Sequence, residues 1–266
     1  MNVLSKSVFA FVALALAATS PFAQSPAKPS VVIVHGAFAD GSDWAKVIPL
    51  LQAKGVTVTA VQNPLTSLED DVSATKRALD TQPGKVVLVG HSWGGVVITQ
   101  AGDDPKVASL VYVAALAPDV GQAGGELGKA YPPAPGFSHI TADKAGYLKM
   151  TPEGIAKHFA QDLPAKATAV MTATQGPIDG KAFEQKVTTA AWKTKPSWYV
   201  ISSNDHMIQP AQQAAMAKTI GAKVTTLKSS HVPQQSQPEK VVAVITGRSE
   251  QCEPMVHLRS VMWQSI

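Results

Sequence analysis

The feature that most constrains the fold is a strand, a sharp turn and a helix in direct succession. The run KVVLV at residues 85–89 is the most strand-like in the chain, GHSWG follows it at 90–94, and residues 94–101 have a helical pattern. So sharp a turn strains the backbone of its central serine, and it needs glycine on both sides because a Cβ would collide with neighbouring chain. The pattern therefore predicts that the Ser92 hydroxyl is held clear above the end of a sheet strand.

The rest of the chain alternates apolar runs with helical patterns. Strands are predicted at residues 31–34, 56–61, 110–114, 197–202 and 223–227, and helices at 43–54, 67–79 and 236–246. Ser67 is a good cap for the second of these helices, and Ser236 with Glu239 forms a capping box for the last. Near-continuous Val/Ile/Leu strands that alternate with helices are typical of the α/β class, with a mostly parallel sheet and helices on both faces.

One stretch, residues 118–195, breaks this alternation. It is rich in Gly, Pro and Ala, it has helical patterns at 151–161, 165–172 and 181–192, and it contains no convincing strand. Because it lies between two strands of the sheet, we expect an inserted helical lid that covers the carboxyl edge of the sheet and shapes a pocket. Its residues Tyr131, Phe137, Tyr147 and Phe159 are candidates for an apolar pocket lining.

The two ends of the chain differ from the central domain at 31–246. Lys6 precedes an unbroken apolar run, Val8–Ala18, and small residues follow, which is typical of a secretion signal over residues 1–23. This run is short for a membrane span of about 20 residues, so no integral segment is expected after the signal is removed. Residues 24–30 are predicted to be a linker, and 247–266 a disordered or unrelated tail. The sequence thus predicts export, to the periplasm or the medium.

Composition limits the possible partners and cofactors. The net charge is +4, but the Lys residues are scattered singly, so a nucleic-acid partner is not expected. Cys252 is the single cysteine, which excludes an intrachain disulfide and a cysteine-based metal site. No cofactor is predicted, and the oligomeric state stays open.

A serine hydroxyl is a weak nucleophile and needs an adjacent base. His231 is the best candidate because it follows the last predicted strand and should lie at the same sheet edge as Ser92. His91 is adjacent to the serine, but neighbouring side chains on a tight turn point apart. The base needs a carboxylate to orient it, and Asp205, after the strand at 197–202, gives the chain order Ser, Asp, His. Asp119, after the preceding strand, is the competing candidate.

An oxyanion formed at this serine needs two backbone N–H donors. One is predicted from Trp93, the residue after the serine, and the other from the loop after the first strand, with Ala37 as first choice and Phe38 as second. Gly36 lets the backbone of that loop approach closely. His35 is expected to be a structural hydrogen-bonding residue.

Four segments in this order resemble a known family: VVIVHGAFADGSDWAKVIPLL from residue 31, VVLVGHSWGGVV from 86, SNDHMIQP from 203 and SSHVP from 229. Over residues 31–246 the chain resembles the α/β-hydrolase superfamily, and within it the small bacterial esterases related to plant methylesterases and hydroxynitrile lyases. The resemblance implies hydrolysis of carboxylic esters through an acyl-enzyme, without a metal or organic cofactor. It assigns the nucleophile to Ser92, the acid to Asp205, the base to His231 and the oxyanion donors to Ala37 and Trp93.

Three departures narrow the resemblance. Hydroxynitrile lyases have Thr at the position of Gly36 and Lys directly after the catalytic histidine, where this chain has Val232, so an esterase is favoured. Related enzymes that open epoxides or remove halogens use Asp as nucleophile, which Ser92 excludes. The usual first two antiparallel strands have no room before residue 31, so a shortened sheet is expected.

Other functions on this fold stay open at this point. They are lactonase, amidase, perhydrolase and hydroxynitrile lyase activity, and a non-catalytic binding or signalling role. In the favoured interpretation the partner is a small-molecule ester.

Overall fold

The computed structural model describes residues 30–247 of the chain. The predicted signal peptide (1–23), the predicted linker up to residue 29 and the predicted tail from residue 248 lie outside the described residues. Ser30, predicted as the end of the linker, is the first residue of a strand.

The described strands fall into one large parallel sheet and one small antiparallel sheet. They are β1 (Ser30–Val34), β2 (Val58–Val61), β3 (Val86–His91), β4 (Val107–Val113), β5 (Ile140–Ala142), β6 (Tyr147–Met150), β7 (Ile178–Asp179), β8 (Ser197–Ser202) and β9 (Lys223–Leu227).

The described α-helices are α1 (Val47–Gln52), α2 (Leu68–Asp80), α3 (Gly94–Ala101), α4 (Pro152–Gly154), α5 (Ala165–Thr174), α6 (Pro210–Thr219), α7 (Pro233–Ser236) and α8 (Pro238–Ile245). A π-helical turn, Ile155–Phe159, follows α4 directly. Short 3-10 turns lie at Gly41–Trp44, Gly124–Glu126, Pro135–His139, Gly180–Glu184 and Ala191–Lys193.

The large sheet confirms the predicted fold class. Its strand order is β2-β1-β3-β4-β8-β9, and every neighbouring pair is parallel. Strands β8 and β9 have the predicted bounds. Because parallel strands share one carboxyl edge, the loops that follow β1, β3, β8 and β9 all emerge on the same side of the sheet.

Successive side chains of β1 point to opposite faces of the sheet and pack into two different hydrophobic cores. Val32 and Val34 belong to the core under α2, α3 and α6, whereas Val31 and Ile33 belong to the core under α1 and α8. All four side chains are almost completely buried. Each such burial contributes about 1.5–3 kcal/mol, and the two-sided burial explains why the strands read as unbroken apolar runs.

Two helices are shorter than their sequence patterns, and each has a proline in its first turn; the misfit of Pro49 in the first pattern predicted this shortening. The pattern at 43–54 is a 3-10 turn capped by Asp40, followed by α1. Pro49 lies in the first turn of α1, where its missing N–H has no intrahelical partner to lose. The capping box at 236–239 is absent: α8 begins with Pro238, after a non-helical Gln237. By contrast Ser67 caps α2 as predicted, since its Oγ accepts a hydrogen bond from the Asp70 N–H at 3.0 Å.

The inserted segment 118–195 contains helices but also the antiparallel sheet β5-β6-β7, so the prediction that it has no strand was wrong. Its strands are two to four residues long, too short for an alternating pattern to be visible. Asp143 closes the β5–β6 turn by accepting from the N–H groups of Ala145 and Tyr147. The helix predicted at 181–192 is two 3-10 turns instead.

Candidate active site

Ser92 lies at the junction of β3 and α3 in the strained geometry that its sequence context predicts. Its φ is 52°, in the left-handed region that non-glycine residues avoid. Such a residue costs of order 1–3 kcal/mol and persists only where its surroundings hold it in place. A Cβ at Gly90 would lie 2.5 Å from the Gly94 carbonyl oxygen, and one at Gly94 would collide with the Val34 carbonyl. The turn therefore requires both glycines.

The tightness of this turn gives a stability prediction. Gly90→Ala is expected to lower the free energy of unfolding by about 1–3 kcal/mol, because the backbone must shift to relieve the clash. Chemical denaturation measures the change. Gly84→Ala is the matched control, since a Cβ there meets nothing within 4 Å, and its effect should stay within about 0.5 kcal/mol. Equal losses in the two variants would show that the turn is not sterically constrained.

The three predicted catalytic side chains meet at the carboxyl edge of the sheet. The Ser92 Oγ lies 2.8 Å from Nε2 of His231, and Nδ1 of the same ring lies 2.7 Å from Oδ2 of Asp205. The imidazole is 1% exposed and the carboxylate side chain is fully buried. The serine, 139 residues before the histidine in sequence, is thus within hydrogen-bonding distance of it.

Asp205 is held in place by three further hydrogen bonds. Its Oδ1 accepts from the backbone N–H groups of Met207 and Ile208 at 2.7 and 3.0 Å, and its Oδ2 accepts from Nε2 of Gln213 at 2.7 Å. Gln213 was not predicted. Its position on α6, eight residues after the aspartate, has no motif that sequence inspection could single out.

The competing aspartate lies elsewhere. Asp119 is 38% exposed at its side chain and forms an ion pair with Lys193 at 2.6 Å. The hydrogen bond from that lysine holds the pKa of Asp119 below its ordinary value. Asp205, not Asp119, is therefore the carboxylate that contacts the His231 imidazole.

Two of the three predicted oxyanion donors lie in the wall of the cavity that Ser92 lines. Ala37 and Phe38 line the same cavity as Ser92, and Phe38 has a φ of 60°. Gly36 lets this loop approach, because a Cβ there would lie 2.8 Å from the Cβ of Ser92. The third, Trp93, follows Ser92 directly, and its side chain is fully buried.

The Trp93 indole is anchored by a carboxylate that sequence reasoning missed. Its Nε1 donates to Oδ2 of Asp71 at 2.7 Å, and Oδ1 of Asp71 accepts from the Leu65 N–H. Burial raises the pKa of Asp71 to about 6, against the effect of these two donors. The acidic first turn of α2 thus supports the residue that follows the serine.

His35 is a structural hydrogen-bonding residue, as expected. Its Nε2 accepts from the Asn63 N–H at 2.9 Å, and its Nδ1 lies 2.8 Å from the Gly36 carbonyl oxygen. Burial lowers the pKa of His35, which favours the neutral ring that this pattern requires. The loop after β1 is thereby tied to the loop after β2.

His91 and Asp43 form a buried pair next to His231. The Nε2 of His91 lies 2.8 Å from the backbone oxygen of His231, and the two imidazole rings are 4.8 Å apart. The Nδ1 of His91 lies 3.8 Å from Oδ2 of Asp43, too far for a hydrogen bond, and that oxygen accepts from Nε2 of Gln234. The pKa of His91 is held well below its ordinary range, mainly by burial and to a smaller extent by the nearby His231. Burial raises the pKa of Asp43. No motif marked Asp43 as part of the site.

A cavity of about 230 Å³ opens beside Ser92 and His231. Phe137 and Phe159 line it as predicted from the inserted segment, together with Phe183, whereas Tyr131 and Tyr147 are not in its lining. A larger groove of about 620 Å³ lies between α1 and α8, but its lining includes none of the three predicted catalytic residues. Two of the three predicted catalytic residues, Ser92 and His231, line the smaller cavity instead.

Comparison with known proteins places the chain in a family. A family model described as the alpha/beta hydrolase family matches residues 31–244. The chain belongs to the α/β-hydrolase family. A protein named probable hydrolase R7 from Phoma sp. is 27% identical over 246 residues, which covers 82% of this chain and 97% of that protein.

Plant esterases are also similar to this α/β hydrolase. Methylesterase 7 from Arabidopsis thaliana is 37% identical over 106 residues, 34% of this chain and 40% of that protein. The crystal structure of polyneuridine aldehyde esterase superposes with a TM-score of 0.73 at 19% identity and covers 83% of this chain and 99% of that one. The resemblance to plant methylesterases is thus confirmed, and the structural match shows a shared fold.

Two further observations concern membranes and metals. Within residues 30–247, no helix has the length and apolar character that a membrane crossing requires. In the same part of the chain, no cluster of three or more His, Cys, Asp or Glu side chains has a geometry suited to a metal ion.

Proposed function

We propose that this α/β hydrolase is an exported serine esterase that cleaves small carboxylic esters through an acyl-enzyme. The observation that carries the proposal is the chain of hydrogen bonds from Ser92 through His231 to Asp205 beside an apolar cavity. An activated hydroxyl at the wall of such a cavity is the arrangement that acyl transfer from an apolar ester needs.

In the first half of the reaction, the Ser92 Oγ attacks the ester carbonyl carbon and its proton passes to Nε2 of His231. Asp205 holds the proton on Nδ1 and stabilises the imidazolium that forms. The carbonyl oxygen becomes an oxyanion, which the backbone N–H groups of Trp93 and Ala37, or Phe38 in place of Ala37, stabilise by roughly 2.7–4 kcal/mol each. His231 then gives its proton to the departing alcohol oxygen, and the acyl group stays on Ser92.

In the second half, water replaces the alcohol. His231 takes a proton from this water as its oxygen attacks the acyl carbon. The bond from that carbon to the Ser92 oxygen breaks, the proton returns to the serine and the acid leaves. Every step uses side chains and backbone groups of this chain.

Two positions support ester hydrolysis over cyanohydrin cleavage. A side chain at Gly36, where the resemblance places the lyases' threonine, would press on the Cβ of Ser92 at 2.8 Å. Val232, where it places the lyases' lysine, is fully buried and absent from the cavity lining. The names of two similar proteins, a methylesterase and a polyneuridine aldehyde esterase, point to the same reaction.

The inserted segment 118–195 acts in this proposal as a lid. It supplies Phe137, Phe159 and Phe183 to the cavity wall. Export rests on the sequence alone, on the charged and apolar pattern of residues 1–23. Both are part of the proposal: a secreted or periplasmic enzyme whose lid selects the ester.

The experiment is a substrate panel with purified protein. Hydrolysis of p-nitrophenyl acetate and butyrate is expected, with much slower turnover of a p-nitroanilide, a lactone and a cyanohydrin. Preference for one of the other classes would replace the esterase assignment with that activity. Absence of turnover on the whole panel would favour a non-catalytic binding role.

A further inference from the structure

The substrate cavity is apolar except at one position away from the reacting groups. Apart from Ser92 and His231, its side chains are aliphatic, aromatic or thioether, with glycines between them and a single amide, Gln212. Among residues 30–247, no Lys, Arg, Asp or Glu lines this cavity. A substrate made only of hydrocarbon beyond its ester group would have nothing to bind to this amide.

The Gln212 amide has no protein partner. The residue is 6% exposed, and among residues 30–247 neither its nitrogen nor its oxygen forms a hydrogen bond. The next residue, Gln213, is the opposite case: it donates to Asp205 and to the Ile208 carbonyl, and accepts from the Ser202 N–H. Two adjacent glutamines on α6 are thus used differently, one inside the protein and one facing the cavity.

The wall opposite Gln212 leaves room for a ligand. A Cβ at Gly128 would lie 3.8 Å from Nε2 and 3.9 Å from Oε1 of Gln212, so the amide faces this glycine. Gly124 and Gly125 also line the cavity, but a Cβ on either would meet protein, 3.1 Å from Val96 or 2.9 Å from the Phe183 carbonyl oxygen. The open space beside the amide is therefore at Gly128, where a methyl-sized group would be in ordinary van der Waals contact with it.

The amide nitrogen and oxygen of Gln212 are not among the fully enclosed polar atoms that lack a partner, so they are open to the cavity and to water. A substrate group that displaces this water loses affinity unless it makes the same hydrogen bonds. An amide offers two donors and one acceptor and carries no charge. Its complement in an apolar cavity is therefore an uncharged oxygen function, such as an ether, a hydroxyl or a second carbonyl.

We infer that Gln212 determines specificity by binding a second, uncharged oxygen function of the ester substrate, apart from the ester group itself. The inference rests on the proposed esterase function and refines it. The preferred substrates carry such an oxygen in the acyl or alcohol part, and simple alkyl esters of the same length are poorer.

The test compares pairs of esters that differ only by replacement of one CH2 by oxygen. Hexanoate esters of p-nitrophenol are set against analogues with an ether oxygen at each successive chain position, and hexyl acetate is set against the same series on the alcohol side. The ratio of kcat/KM within a pair is measured for the wild type and for Gln212→Leu. The added oxygen also changes the intrinsic reactivity of the ester. This change is the same for both proteins, so it cancels when their kcat/KM ratios are compared.

At one position or more, the wild type should favour the oxygen analogue by about 10-fold or more relative to Gln212→Leu, because an apolar site loses the hydrogen bond. Gln212→Met, of the same length, should behave as Gln212→Leu does and guards against a folding defect in one variant. Leu148→Met is the matched control: it also changes the cavity wall, but without changing its polarity, and should leave the ratios as in the wild type.

The outcomes separate the two proposals. If the wild type hydrolyses the esters but all ratios agree within twofold between wild type and both Gln212 variants, the role of Gln212 is wrong and the esterase stands. If Leu148→Met alters the ratios as much as the Gln212 variants do, cavity shape rather than the amide decides, and the inference is also overturned. If the wild type hydrolyses no ester of either series, the esterase proposal itself fails.

Discussion

Ser92→Ala and His231→Ala are each expected to lower kcat for p-nitrophenyl butyrate by about 10⁴-fold or more. The serine variant removes the atom that forms the covalent bond. The histidine variant removes the group that takes its proton at 2.8 Å. Because the two residues act in one step, the double variant should be no slower than either single variant, which steady-state kinetics on all three proteins measures.

Ser203→Ala is the control for these variants. Ser203 is an exposed serine that follows β8 at the same sheet edge, and its replacement should change kcat by less than about twofold. A Ser92→Ala protein that keeps more than a few per cent of the wild-type rate, while the melting curve shows a normal fold, would contradict the nucleophile assignment.

Asp205→Asn is expected to lower kcat by about 10⁴-fold with little change in KM. The carboxylate Oδ2 accepts from Nδ1 of His231 at 2.7 Å, and an amide N–H in its place favours the tautomer with the proton on Nε2. That nitrogen then faces the Ser92 hydroxyl with a proton and cannot accept another. The serine loses its base although all three side chains remain.

The matched control is Asp119→Asn. Asp119 is the other aspartate that chain order allows, and its partner is Lys193 at the surface. Its replacement should change kcat by less than about threefold. Gln213 also donates to Asp205, so the amide of Asp205→Asn would place two N–H donors against each other there as well. Asp205→Ala avoids this clash of donors and shows whether the loss of kcat follows from the missing carboxylate. Equal effects of the Asp119 and Asp205 variants would contradict the assignment.

Local chemistry was enough to predict which three side chains meet at the carboxyl edge of the sheet. The segment GHSWG predicted a tight, strained turn, and the φ of 52° at Ser92 confirms it. Asp205 and His231 were found because each follows a predicted strand, and parallel strands bring such loops to one edge. Residue type, strand order and sheet geometry thus converge on one point.

The supporting residues could not be predicted in this way. Asp43 and Gln213 lie at the site because elements far apart in sequence pack together there. The residues around each position form no motif that would indicate this. The sheet β5-β6-β7 was missed because its strands are shorter than one detectable alternation, although the Asp143 to Gly146 turn is a usable signal. The start of the last helix was predicted two residues too early. The capping pattern Ser236 to Glu239 spans Pro238, and it is Pro238 that begins α8.

The central claim is that Ser92 alone becomes covalently acylated, and a fluorophosphonate probe tests it most directly. The probe mimics the tetrahedral intermediate and bonds only to a serine that a neighbouring base activates. The account predicts one adduct per chain, mapped by tandem mass spectrometry to Ser92 and lost in His231→Ala. An adduct on another residue, or ester hydrolysis that continues after Ser92 is fully labelled, would contradict it.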